Sequence, residues 1–121
     1  MDQIERDGLK AVDTFRSGNK AEALVLAVNA LNHGHPRGLY EVAMEYFWEN
    51  NLLKCIAYNK LCLKHAPYWT YAYLAKYNVA VCYERLGLLK RARIWTKLAM
   101  VDAPTFDAAK TLACTVSIIP V

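Results

Sequence analysis

Three histidines, four cysteines and a run of carboxylates are the side chains in this sequence that could do chemistry, and their spacing decides which chemistry. His33 and His35 stand two apart and could offer a metal two ligands, but no third ligand follows at a usable spacing. All three histidines, His65 included, fall near expected helix C-termini, where an imidazolium meets a favourable dipole, so capping accounts for them. Glu41, Glu45 and Glu49 recur every four residues, a pattern that places them on one helical stripe and suits a solvated face better than an acid–base pair. Cys55, Cys62, Cys82 and Cys114 make no C-x-x-C pair and no zinc-like spacing with histidine. They read as reduced, buried thiols serving as small core residues. The glycines are isolated, which excludes a phosphate-cradling loop, and no serine or cysteine sits in a nucleophile elbow. Neither an enzyme, a cofactor nor a metal centre is implied.

The chain has 121 residues, 55% of them hydrophobic, enough for one domain with a sizeable core. No apolar run approaches the roughly 20 residues that span a bilayer. The N-terminal MDQIERDG is acidic and lacks the basic and apolar regions of a signal peptide, so a cytoplasmic location is expected. Net charge is +4, and all of the excess lies in residues 68–121, with seven basic side chains against three acidic ones. That imbalance would attract an acidic partner but is too mild to argue for nucleic acid. Lys90, Arg91, Arg93 and Lys97 cluster near Trp95 and Tyr83, which keeps a nucleic-acid-binding regulator open as an alternative.

Apolar residues at a period of 3.6 predict helices over about 3–17, 20–32, 36–49, 52–65, 69–86, 88–102 and 106–118. Gly18, Asn50-Asn51 and Gly87 supply turns, and Pro36, Pro67, Pro104 and Pro120 supply stops. Asn19 with Glu22 makes a box-like N-cap, and Thr105 is expected to cap the last helix. Seven helices with short connections and no credible strand give an all-α antiparallel stack in a single domain, 1–121.

One stretch organises the rest. Between 73 and 104, Ala80, Tyr83, Gly87, Ala92, Ala99 and Pro104 fall at the offsets of a helix–turn–helix hairpin of about 34 residues. Small residues let two antiparallel helices approach, and an aromatic fills the wedge between them. Stepping back from Pro67 gives Ala43, Tyr46, Asn50, Cys55 and Cys62, and anchoring on Gly18 gives Ala11, Ala23 and Ala30. Phe15 lies one place from the expected aromatic. The pattern resembles the tetratricopeptide repeat over about residues 4–104. It implies an antiparallel helix-hairpin solenoid of three repeats, about 4–35, 36–67 and 68–104, with a capping helix at 105–118. Lys76 and Thr96 depart from the pattern, and residues 68–72 add an extra turn of helix or a small insertion that makes the last interval irregular.

In that family the first helix of each hairpin lines a concave face. The resemblance places there Glu5, Gly8, Val12, Phe15 and Arg16; Arg37, Tyr40, Met44, Phe47 and Trp48; and Leu74, Tyr77, Val81, Glu84 and Arg85. The implied function is a small adaptor or chaperone that binds a partner peptide or helix in an apolar groove. Few charges in the lining argue against a carboxylate clamp, although Arg16, Arg37 and Arg85 could grip one carboxylate at the rim. By architecture alone, the chain is also similar to small chaperones of secreted bacterial translocators. Two other occupants are compatible with the pattern: a second copy of the chain, or the chain itself, through Phe106 and Ala109 or the tail of residues 118–121.

Overall fold

The structure, a computed structural model, describes residues 1–117 and the side chains of residues 1–114. Its elements are α1 (Gln3–Leu9), α2 (Ala11–Arg16), α3 (Lys20–Asn32), α4 (Arg37–Trp48), α5 (Leu52–His65), α6 (Ala72–Arg85), α7 (Leu89–Asp102) and α8 (Asp107–Ser117), with no strand among the described residues. The tail at 118–121 lies outside the described residues. Among the described residues no helix is long and apolar enough to cross a membrane.

Three turns are built alike. Gly18, Asn50 and Gly87 sit at φ +100°, +61° and +76°, the left-handed region that ends a helix most cheaply with glycine or asparagine. Each turn carries the same long hydrogen bond: Asn19 N–H donates to the Thr14 carbonyl, Asn51 N–H to Tyr46 and Leu88 N–H to Tyr83. Asn19 and Asn51 then cap the following helix, their side chains accepting from Glu22 N–H and Lys54 N–H. The far ends also match, because α5 and α7 both stop at an extended alanine before proline, Ala66-Pro67 and Ala103-Pro104.

Taking the three turns as a common register, nine small residues fall at three repeated places: Ala11, Ala43 and Ala80; Ala23, Cys55 and Ala92; Ala30, Cys62 and Ala99. Every one is buried to within 1%. Asn59 and Thr96 share another place, and each bonds back to a carbonyl of its own helix, Cys55 and Ala92 respectively. Packing joins helices that are neighbours or next neighbours in sequence, with α1 and α2 acting as one arm.

Expectation and structure differ at four places. The first helix is interrupted at Lys10, whose N–H is shared between the Arg6 and Asp7 carbonyls, two residues after a tight crossing. At that crossing a Cβ on Gly38 would overlap the Gly8 carbonyl and one on Gly8 would overlap Ala30. Secondly, α6 begins at Ala72, not near Trp69, because Trp69 N–H bonds to Ala66 and Ala72 N–H to Trp69 in tight turns. Thirdly, α8 begins at Asp107, so Phe106 and not Thr105 precedes it, with Ala109 and Lys110 N–H donating to the Phe106 carbonyl. Lastly, Cys114 is exposed, whereas Cys55, Cys62 and Cys82 are buried as expected.

Candidate protein-binding face

Side chains tie α2, α4 and α6 together in parallel. Near its end, α2 reaches α4 through the Arg16–Glu45 ion pair, and Lys20 follows with Glu49. In turn α4 reaches α6 where Asn78 Nδ2 lies 3.0 Å from Met44 Sδ, and again where the Arg85 guanidinium sits 4.4 Å from the centre of the Phe47 ring. Val12, Met44 and Val81 occupy one place relative to the three turns, and all three are half-buried, forming a row across these helices.

Trp48 lies one turn further along α4 from Met44 and is 72% exposed. Its indole meets the Phe47 ring edge-on at 5.2 Å, so its base is held while most of its surface faces water. Arg16 and Arg85 take the corresponding places on α2 and α6, one on each side. Glu45 accepts from Arg16 and raises its guanidinium pKa further above the ordinary value. Arg85 is the better placed to act outward, since no ion pair among the described residues involves it.

Several residues expected on this face do other work. Phe15 is a core residue, 4% exposed and packed edge-on against Tyr46 at 4.8 Å. Phe47 holds the same place relative to its turn, and that place faces inward in both hairpins. Phe47 is also buried, at 9%, and serves as the floor under Trp48 and Arg85. Gly8 is buried in the helix crossing. Arg37 pairs with Glu41 at the start of α4. That point is about 16 Å along the helix from the end where Arg16 and Arg85 lie, so the three arginines cannot share one carboxylate. Tyr77 is half-buried, with Phe106 edge-on to it at 5.1 Å and to Tyr73 at 5.3 Å. The turn leading into α8 therefore closes the third-hairpin end of the face. Tyr40 is half-buried beside Trp69, at 5.5 Å, and burial raises its phenol pKa.

That last contact was not legible beforehand. Trp69 and Tyr71 come from the irregular insertion and, with Tyr40, Leu74, Arg37 and Glu41, wall a cleft of about 330 Å³. The aromatic run Tyr68-Trp69-Thr70-Tyr71 is the local signal for it.

The carboxylate stripe and two of the histidines make structural contacts. Glu41, Glu45 and Glu49 each hold a basic partner, Arg37, Arg16 and Lys20. His33 Nδ1 lies 2.8 Å from the Asn29 carbonyl at the end of α3, as a cap would. His35 turns the other way, with Nε2 3.5 Å from an Asp2 carboxylate oxygen and Nδ1 3.9 Å from Glu5. This clasp fastens the start of α1 to the loop before α4. Trp95 is half-buried with the Lys60 ammonium 5.3 Å from its ring centre, so one face already carries a cation and is closed to a base.

Comparison with protein-family models, with curated proteins and with solved structures returns no match.

Proposed function

We propose that this chain is a tetratricopeptide-like interaction module, a small adaptor or chaperone that holds a segment of another protein against the face shared by α2, α4 and α6. The observation that carries the reading is Trp48, a large aromatic left 72% exposed on a floor of Phe47, beside the half-buried row of Val12, Met44 and Val81. Aromatic side chains contribute most where a partner covers them completely, and here the base of the indole is already fixed. Support for the repeat reading comes from the three matching turns and the nine buried small residues. Three helix hairpins in one register, stacked on their sequence neighbours, are what such an array requires.

The accessible surface is smaller than the residue pattern alone implies. Phe106 covers Tyr77, and Phe15 and Phe47 are internal, so the partner segment is expected to centre on Trp48, flanked by Arg16 and Arg85. A short helix or extended segment with one apolar anchor fits that description.

Co-purification from native lysate with wild-type protein and Trp48→Ala tests the proposal. Trp48 is exposed, so the variant should keep its helical content and lose the partner. Retention of the same partner by the variant would move the site elsewhere. A dimer by sedimentation that Trp48→Ala converts to monomer would assign the face to a second copy.

A further inference from the structure

The outer side of α7 carries a second surface, independent of the face around Trp48. Ile94, Leu98 and Val101 are 57%, 40% and 79% exposed. They are spaced four and then three residues apart, which aligns them on one side of the helix as the seam of a two-helix pairing requires. Lys90 and Lys97, seven apart and both exposed, border the seam on one side, and Arg91 continues its line toward the start of α7. The sole acidic residue of α7, Asp102, is held by Lys76.

The earlier hairpins do not repeat this surface. At the corresponding places α5 has Ala57, Leu61 and Lys64, and α3 has Val25, Asn29 and Asn32. An outward helix face that turns apolar in the last hairpin alone, where the chain also collects its positive charge, is not a requirement of stacking.

We infer that this seam docks an amphipathic helix of another protein, with aliphatic residues at the same four–three spacing and glutamates or aspartates bordering them. Charge selects that occupant. In an antiparallel pairing with a second copy, Lys90 and Lys97 would face the same lysines. In a parallel one they would face Trp95, which lies under Lys60, and Asp102, which Lys76 already holds. Three aliphatic side chains without an aromatic among them form too narrow a band to sink into lipid, where interfacial helices bury a broad apolar face.

The experiment titrates the full chain with a labelled synthetic helix bearing leucines at seam positions and glutamates beside them, and with a twin carrying lysines there. Phosphatidylserine vesicles and sedimentation of the protein alone are run alongside. The glutamate-bordered helix should bind about tenfold more tightly than its twin, since two attractive pairs replace two repulsive ones. Ile94→Glu with Val101→Glu should abolish binding with helical content unchanged, both residues being exposed. Lys90→Glu with Lys97→Glu should reverse the preference, and Trp48→Ala should leave it intact, which separates this surface from the first. Equal binding of the two helices, binding to vesicles but to neither helix, or a dimer dissolved by the Ile94/Val101 variant would each overturn the inference.

Discussion

Phe106 meets the Tyr77 ring edge-on at 5.1 Å, and through that contact the residue ahead of α8 closes one end of the face that α6 would otherwise present. A second edge contact, to Tyr73, makes Phe106 the pin that holds α8 against α6. Phe106→Ala is therefore expected to lower stability by about 2 kcal/mol, two aromatic pairs of about 1 kcal/mol each. Amide exchange should accelerate in residues 107–114 and stay unchanged in α3 to α5. Uniform acceleration across all helices would show that Phe106 is not a local pin.

Gly38→Ala addresses the crossing at the other end. The new methyl would overlap the Gly8 backbone, which cannot move as a flexible side chain would. A cost of about 1–3 kcal/mol is expected for overpacking a fixed contact. It should appear in urea unfolding as a lower midpoint and in exchange as loosening of α1. An unchanged midpoint would mean that α1 shifts freely on α4.

Thiol chemistry separates the four cysteines. Burial pushes the Cys62 thiol up to about 12, and contact with Cys82 together with burial pushes Cys55 up as well. The hydrogen bond with Cys55 lowers the Cys82 thiol instead, so Cys82 is protected by burial alone; an aromatic disulfide reagent at neutral pH should titrate Cys114 quickly and the buried three only after denaturation. Rapid reaction of two or more thiols in the native protein would contradict this packing.

Acid should release the start of α1 before the rest. The Glu5 backbone N–H, at 2.8 Å, lowers the Asp2 carboxyl pKa below the ordinary aspartate value, helped by the facing His35 imidazole and the terminal ammonium. A carboxyl lowered by folding stabilises above its unfolded pKa of about 3.9, and the contribution is lost as pH falls through the lower folded value. Corrected for the intrinsic pH dependence of amide exchange, opening of residues 3–9 should therefore be constant from pH 7 to about 5 and rise more than in α4 below about pH 4. Asp2→Asn, which still caps, should remove that extra rise. An identical pH profile in the variant would rule out Asp2 as its source.

Much of the fold could be read in advance because it rests on local chemistry. Gly18, Asn50 and Gly87 announce left-handed turns by residue type, and the alanines and cysteines buried between helices announce close approach by size. What could not be read depends on side chains that meet across distant segments. Nothing near Phe15 says that Tyr46 will take its ring, and nothing near Arg16 says that Glu45 will neutralise it. For Tyr77 the sequence offers Phe106, 29 residues later, as one candidate cover beside a partner or a second copy, and only folding selects it. Periodicity assigns a residue to a side of its helix, whereas only the packed arrangement says how much of that side another element has covered.

Packing between near neighbours also fixes how the molecule should yield to force. With no broad contact joining α1–α3 to α6–α8 among the described residues, a pull on the two ends is expected to peel hairpins away in succession, and the extension trace should show several small ruptures instead of one. Such a chain behaves as a short spring, soft along its stacking direction and stiff across each pair of helices.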